Sequence, residues 1–172
     1  MSIRCTTETG EFDMILTEQM INASDHDNKD LWETPDHIFK PLNDKFHFTL
    51  DPCCTIETAK CKYFYTPKEN GLKQSWNGAI VFVNPPYSRG NIDLWVKKCY
   101  DNRKGQIVVA LLPVSTSSDW FQKYCMGNTI YWVDKRIRFK GAKSTAPFSS
   151  MIVHFNGINE NLTFKQSDPL LF

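Results

Sequence analysis

The chain has no long apolar run and no large excess of charge of one sign. None of its 172 residues falls in an apolar run approaching the ~20 residues of a membrane-spanning helix. Lysine and arginine number 20 against 19 aspartate and glutamate residues, so the formal net charge is +1. The first residues are polar, without a basic-then-apolar leader. We therefore expect a cytoplasmic protein with no membrane partner, and any anionic partner must meet a local basic patch.

Cysteine and histidine are present, but in patterns typical of neither a metal site nor a nucleophilic triad. Six cysteines in a chain of this length do not indicate a disulfide scaffold. Cys53, Cys54 and Cys61 cluster with a spacing that matches no common zinc motif. None of the four histidines lies in a pattern that suggests a triad. We expect no metal, and reduced cysteines packed as small apolar side chains.

The composition is that of a globular domain, with 41% apolar and 23% charged residues. Residues 1–30 are polar and are predicted to form an N-terminal segment, with one weak helical pattern near Phe12. Residues 31–172 are predicted to form a single folded domain.

Apolar periodicity predicts that helices and strands alternate in this domain. A helix should begin with Thr34 as its cap and Pro35 at its first position, and Pro41 should shorten or bend it. A second helix should begin with Asn91 as its cap, and a third should begin at "SSDWFQKY". Strands are predicted at residues 46–51, 62–67, 79–83, 106–113, 129–134, 136–141 and 149–155. The alternation indicates an α/β fold with a mostly parallel central sheet and helices on both faces.

The segment Asn84-Pro85-Pro86-Tyr87 directly follows a buried strand. Proline fixes its own φ and has no N–H, so the strand must end here in a stiff geometry. One interpretation is a simple turn. The other is a ligand site, because the Asn84 side-chain oxygen and the Pro85 carbonyl are fixed acceptors that suit a planar amino group. Such acceptors would stabilise positive charge on an attacking aromatic amine, and Tyr87 could lie over its ring.

The polar or rigid residues at the strand ends predict where a ligand binds. Asp51, Asn84 and Pro113 all stand at the ends of predicted strands. In parallel sheets ligands bind beyond the carboxyl ends of the strands. The sequence therefore predicts a single cleft at this edge.

The segments "LWETPDHIFKPLN", "FTLDPCCT", "VFVNPPYS", "VALLPVSTSSDWF" and "APFSSMIVHF" resemble, in this order, those of phage-type DNA N-6-adenine methyltransferases. The resemblance implies a Rossmann-like methyltransferase domain that uses S-adenosylmethionine. It implies methyl transfer to the exocyclic amine of an adenine flipped out of double-stranded DNA. In the catalytic motif, Asn84 and the Pro85 carbonyl would hold the amine, Pro86 would keep the segment rigid, and Tyr87 would stack on the base.

Cofactor contacts are expected around "DPCCT", which stands where many methyltransferases have a glycine-rich loop. Asp51 would bind the cofactor's ammonium or ribose hydroxyls, or it is a turn residue. Thr34 would meet its carboxylate, or it is a plain helix cap. Trp32 is a lid or a core residue, and Glu69 is a ribose contact or a solvated charge. The full predicted set is Trp32, Thr34, Asp51, Cys53, Glu69 and Asn84.

One basic cluster is a candidate DNA contact. Arg136, Arg138 and Lys140 share one face of a predicted strand, and Ile137 and Phe139 share the other. The basic face would meet phosphates, or it is solvated surface.

Two other functions remain open at this point. The chain could be an amino-methyltransferase for RNA or protein glutamine, or a DNA-binding module without catalysis. The sequence leaves the target site and the oligomeric state open as well.

Overall fold

The computed structural model describes residue 30 and residues 32–166, so the predicted helix near Phe12 lies outside the described residues. The helical elements are α1 (Asp36–Phe46), α2 (Asn91–Asp101) and one π-helical turn (Phe121–Cys125). The strands are β1 (Leu50–Asp51), β2 (Tyr63–Phe64), β3 (Val81–Val83), β4 (Val108–Pro113), β5 (Thr129–Val133), β6 (Ser150–His154) and β7 (Asn161–Phe164). Over these ranges, no helix is long and apolar enough to cross a membrane.

The strands form one seven-stranded sheet in the order β2-β1-β3-β4-β6-β5-β7. The first four strands of this order are parallel, as are β5 and β7. Strand β6 runs antiparallel to both of its neighbours, β4 and β5. The prediction of an α/β fold with a mostly parallel sheet is confirmed.

The core has two layers, one on each face of the sheet. In β3, Val81 and Val83 pack into the layer that contains α2 and the π-helical turn, whereas Phe82 packs into the layer that contains α1. All three side chains are buried, as expected for a central strand covered on both sides. The predicted placement of helices on both faces is confirmed.

Helix α1 begins and ends differently from the prediction. Its N-cap is Pro35, without a side-chain cap, so Thr34 is not the cap. The helix also continues through Pro41 as far as Phe46, which the sequence had assigned to a strand. Packing of its apolar face outweighs one lost backbone hydrogen bond. His47 then ends the helix in the left-handed conformation, at φ 57°.

The later helices also differ in detail. Gly90, at φ 88°, is the N-cap of α2 in place of Asn91, whose side-chain amide instead donates to Ser88 Oγ at 2.7 Å. The segment "SSDWFQKY" is helical as predicted. Its helix is short, however, and continues directly into the π-helical turn at Phe121–Cys125.

The segment "RIRFKG" is not a strand of the sheet. Its one β-bridge joins Lys140 to Glu33, in the segment before α1. The predicted alternation of burial does hold: Ile137 and Phe139 are buried in the α1 layer, and the three basic side chains are exposed. Strand β7, which the sequence did not predict, takes the edge position beside β5.

Candidate functional site

Two cavities lie at the carboxyl end of the parallel strands, and the segment that follows β3 contributes to both. The first has a volume of 460 Å³ and is lined in part by Asp51, Asn84 and Pro86. The second has a volume of 590 Å³ and is lined in part by Tyr87 and Pro113. The single predicted cleft is therefore replaced by two cavities, because the rigid Asn-Pro-Pro-Tyr segment contributes Asn84 and Pro86 to one wall and Tyr87 to the other.

The side chain of Asn84 is held at both ends. Its Nδ2 donates to the Trp32 carbonyl at 2.8 Å, and its Oδ1 accepts from the Tyr87 hydroxyl at 2.7 Å. The Asn84 backbone carbonyl accepts from the Cys53 thiol at 3.3 Å. Two hydrogen bonds thus fix the side-chain amide and a third holds the backbone of the same residue, which is the preorganisation that an electrostatic catalyst requires.

Tyr87 is enclosed by aromatic rings and backbone. Its ring makes edge contacts with Phe139 and Phe148, at centroid distances of 6.1 Å and 5.6 Å. Its hydroxyl lies 3.2 Å from the Leu111 carbonyl in addition to its bond with Asn84. Burial raises the pKa of this phenol well above its ordinary value, so the hydroxyl stays protonated.

Asp51, the last residue of β1, is almost fully buried, with 4% of its surface exposed. Its carboxyl oxygens accept from the backbone N–H of Lys60 at 3.1 Å and of Cys53 at 3.4 Å. Burial raises the pKa of Asp51 to about 6, and those two N–H donors only partly offset the effect. The group is therefore largely ionised at neutral pH, but at a cost in solvation that a bound donor would relieve.

The cysteines near Asp51 are thiols and not thiolates. Burial, followed by the charge of Asp51, raises the pKa of Cys53 well above its usual value. The same causes raise the pKa of Cys54, and that of Cys61 to about 12. In residues 30 and 32–166, no three histidine, cysteine, aspartate or glutamate side chains are grouped to hold a metal ion.

Most of the predicted cofactor residues meet in the first cavity. Its lining includes Trp32, Thr34, Asp51, Cys53 and Asn84. Glu69 is the exception, because it does not line the cavity. Its carboxylate accepts from the Thr66 backbone N–H at 2.9 Å and from the Thr66 hydroxyl.

Sequence reasoning missed other parts of this lining. Thr55, Thr58, Lys60, Asn70 and Gly71 all contribute to it. The proximity of Thr66 and Asn70 to Glu69 could have pointed to the loop after β2. Nothing in the local sequence marks Lys60, whose backbone and side chain contact residues far from it in the chain.

Trp32 is both packed and part of the cavity wall. Its ring stacks on Phe139 with a centroid distance of 5.2 Å and an interplanar angle of 24°. Its indole nitrogen is buried and has no hydrogen-bond partner among the residues that the structure describes. The packing alternative thus holds for Trp32, and its place in the cavity wall leaves the lid role as a prediction.

Four charged side chains form an ion-pair cluster beside the first cavity. Lys60 and Lys140 each donate to both Glu33 and Asp36, at 2.7–3.2 Å. Burial works to raise the pKa of Glu33, but the two ammonium groups outweigh it and lower that pKa. Hydrogen bonds to Glu33 and then to Asp36 raise the pKa of Lys140. The ammonium group of Lys140 is thus bound by two carboxylates.

Arg136 and Arg138 lie in the same connection between β5 and β6 as Lys140, but they have fewer hydrogen-bond partners. Arg136 is exposed, and Arg138 donates to the Lys143 carbonyl at 3.4 Å, a long bond. The predicted basic face therefore separates into one lysine held by carboxylates and two arginines at the surface.

The second cavity has aromatic walls and a polar rim. Tyr87, Trp120 and Phe148 supply the rings, which suit a flat heterocycle. Arg89, Asp93, Ser115, Ser118 and Asp119 supply charges and hydroxyls.

Comparisons with known proteins match most of the chain. The family model described as DNA N-6-adenine-methyltransferase (Dam) matches residues 22–162. The DNA N-6-adenine-methyltransferase of Haemophilus phage HP1 is 33% identical over 130 residues, which cover 73% of each protein. The protein of the same name from Escherichia phage T1 is 34% identical over 96 residues, covering 54% of this chain but only 40% of that protein.

Among solved structures, a modification subunit of a putative type I restriction enzyme from Vibrio vulnificus YJ016 has a TM-score of 0.48 and 12% identity. The alignment covers 99% of this chain and 55% of that one. The family match extends over the strands that carry both cavities. The resemblance seen in the sequence is thereby confirmed, and the chain belongs to the DNA N-6-adenine-methyltransferase family.

Proposed function

We propose that this chain transfers a methyl group from S-adenosylmethionine to the N6 amine of an adenine in double-stranded DNA. The observation that carries this proposal is the position of Asn84–Tyr87 between two cavities of ligand size. The cofactor would occupy the first cavity and the adenine the second. The amine would then approach the methyl group beside Asn84, where the two cavities share a wall.

The residues of the first cavity fit the cofactor. Its volume of 460 Å³ lies within the range of about 300–1,000 Å³ for small-molecule sites. A Cβ atom on Gly71 would come within 2.0 Å of the Pro52 carbonyl oxygen, so only glycine allows this part of the wall. Asp51 would accept hydrogen bonds from hydroxyl or ammonium groups, and Thr34 would meet the carboxylate. S-adenosylmethionine supplies an electrophilic methyl group.

Glu69 and Trp32 have narrower proposed roles. Glu69 would accept from the ribose hydroxyls only after it releases Thr66, because its carboxylate is bound within its own loop. Trp32 would close the cavity with its ring, and its indole N–H is a donor without a partner among the described residues.

Catalysis is proposed to come from fixed acceptors and not from a basic side chain. Asn84 Oδ1 and the Pro85 carbonyl would accept the two hydrogens of the adenine amine. Pro85 and Pro86 hold this geometry because their φ angles are fixed. The acceptors would stabilise the positive charge that develops on the nitrogen as it attacks. The ring of Tyr87 would stack on the base, whose N6 atom becomes reachable only outside the duplex.

The DNA backbone is proposed to meet the connection between β5 and β6. Arg136 and Arg138 are exposed there, and Phe148 of the same connection lines the second cavity. The arginines would bind phosphates while the base enters beside Phe148. The fold would be of the Rossmann-like methyltransferase type, acting in the cytoplasm of the cell that holds the DNA.

The test is methyl transfer from labelled S-adenosylmethionine to unmethylated DNA, RNA and a glutamine-containing protein. We expect label only in DNA, recovered as N6-methyladenine after digestion and mass spectrometry. The matched control is Asn84→Ala, which should lose about 10²–10³-fold in rate and keep its cofactor affinity by calorimetry. Label in RNA or protein would favour the first alternative. DNA binding without any cofactor binding would favour an inactive module.

A further inference from the structure

The hydroxyl of Tyr87 has one proton and two acceptors within reach. Asn84 Oδ1 lies at 2.7 Å and the Leu111 carbonyl oxygen at 3.2 Å. Hydrogen bonds between oxygens are typically about 2.7–2.8 Å long and rarely exceed about 3.0 Å. The proton therefore lies on the line to Asn84, and Leu111 is the second acceptor.

The Leu111 carbonyl is available to a side chain because the sheet is interrupted beside it. Strand β3 pairs with β4 only as far as Val83 opposite Ala110. Leu111 is the next residue of β4, and Asn84 is the next residue after β3. The hydroxyl of Tyr87 fills the position that a further rung of the ladder would have occupied.

The opposite end of the Asn84 amide is fixed as well. Its Nδ2 donates to the Trp32 carbonyl, so the Oδ1 atom must face Tyr87. In the proposed reaction, that same Oδ1 accepts a hydrogen of the adenine amine. An amide oxygen can accept two hydrogen bonds, so the hydroxyl takes one acceptor position of Oδ1 and the other remains for the amine.

We propose that the Tyr87 hydroxyl is a positioning group whose hydrogen bond holds Asn84 Oδ1 in place to accept from the adenine amine. This proposal rests on the proposed methyl transfer. Before the base enters, the hydroxyl keeps the amide from turning over and leaves no buried acceptor unpaired. Once the base is bound, the hydroxyl keeps its bond to Oδ1 and the amine donates to the second lone pair of the same oxygen. No proton leaves the phenol.

The proposal assigns Tyr87 a role beyond stacking, and Tyr87→Phe separates the two because it keeps the ring. We expect kcat to fall about three- to tenfold, the usual effect of one neutral hydrogen bond, with the KM for DNA changed less than about twofold. Tyr65→Phe is the matched control, since the hydrogen bond of its hydroxyl within residues 32–166 is a long, exposed one to the Ser75 carbonyl. That variant should keep the wild-type kcat.

A double-mutant cycle with Asn84→Ala tests whether the hydroxyl acts through Asn84. If it does, Tyr87→Phe should have no further effect on kcat in the Asn84→Ala background. An equal loss in both backgrounds, an unchanged kcat in Tyr87→Phe, or a loss confined to KM would each overturn the proposal. So would a Tyr87→Phe protein that no longer folds or binds cofactor, because the hydroxyl would then be structural. Wild-type transfer in the same assay tests the proposed function separately.

Discussion

The side-chain amide of Asn84 has a direction, because its two ends face unlike partners. Asn84→Asp would place a carboxylate oxygen where Nδ2 now lies, 2.8 Å from the Trp32 carbonyl oxygen. Two acceptors in contact destabilise the fold by about 1–3 kcal/mol. We expect a Tm lower by about 2–4 °C per kcal/mol and little methyl transfer at neutral pH.

A lower pH should partly restore the stability and the methyl transfer of the Asn84→Asp variant, because a protonated carboxyl can donate to the Trp32 carbonyl. Thermal unfolding and transfer rates, both measured from pH 5 to 8, would check this. Asn84→Ala is the control, since it carries no group that titrates. If the aspartate variant were as active as wild type at neutral pH, the direction assigned to this amide would be wrong.

Asp51 makes the stability of the free protein depend on pH. Its pKa in the fold is raised to about 6 from 3.8, so the fold holds the proton more tightly than the unfolded chain does. The contribution of Asp51 to the free energy of unfolding is therefore complete below about pH 4, and it is lost as the pH rises through about 6. The maximal slope is about 1.4 kcal/mol per pH unit.

The Asp51→Asn variant isolates this contribution from the other acids that titrate in the same window. Urea unfolding at pH 4, 5, 6 and 7 should give a wild-type free energy that falls relative to that of the variant. Parallel curves for the two proteins would show that the carboxyl titrates normally. The N–H groups of Cys53 and Lys60 bond different oxygens of the carboxyl, so the variant loses one acceptor at every pH, and the change of its free energy with pH is the quantity to compare.

At the scale of elements, the connection between β5 and β6 contains cations in two different environments. Arg136→Ala with Arg138→Ala should weaken binding to all DNA sequences alike. It should also reduce the slope of log affinity against log salt by about 0.9 for each phosphate that the variant no longer neutralises. Both side chains are exposed while the intervening Ile137 is fully buried, so the fold should survive.

Lys140→Met is the matched control for the two arginines. Its ammonium is bound by Glu33 and Asp36, so its loss should lower stability by at most about 1 kcal/mol. The salt slope should stay at its wild-type value. A reduced slope in Lys140→Met, with an unchanged slope in the double arginine variant, would reverse the two assignments.

The elements that the sequence predicted well are those with an unambiguous apolar pattern. Strands β3 and β4 are continuous apolar runs, and α2 repeats its buried residues at helical spacing. Strand β7 escaped prediction because three of its four side chains are exposed, and backbone pairing with β5 defines it. "RIRFKG" has strand-like alternation, but Lys140 pairs with Glu33 outside the sheet. An alternating apolar pattern indicates that one side of a segment is buried, but it does not indicate which strand the segment pairs with.

The family resemblance and the strand ends indicated distant residues of the first cavity, such as Thr34 and Asp51, but the contacts within the site were predictable only between residues close in sequence. Asn84 and Tyr87 are three residues apart, and their motif was sufficient to identify them. The bond from Asn84 to Trp32 spans 52 residues, and that from Lys140 to Glu33 spans 107. Such contacts depend on how the sheet and α1 pack together. The division of the site into two cavities has the same origin.

At the scale of the whole molecule, cofactor binding should stabilise the entire domain. A ligand at 100 times its Kd adds about 2.7 kcal/mol, which corresponds to a rise of about 5–10 °C in Tm. We expect this rise with S-adenosylmethionine for wild type. Gly71→Ala should reduce it strongly, because a Cβ there would lie 2.0 Å from the Pro52 carbonyl oxygen. Differential scanning fluorimetry with and without cofactor gives both shifts, and an equal shift in the two proteins would place the cofactor elsewhere.

The raised pKa values of the thiols determine how the enzyme withstands oxidants. Peroxide and alkylating reagents attack thiolates, and burial keeps all five described cysteines protonated at neutral pH. A Cys5→Ser protein should therefore resist iodoacetamide for hours at pH 7 and react at once in denaturant. Rapid labelling of the folded protein would contradict this. Cys53 and Cys54 line the first cavity, so we expect methyl transfer to survive brief exposure to dilute peroxide at neutral pH.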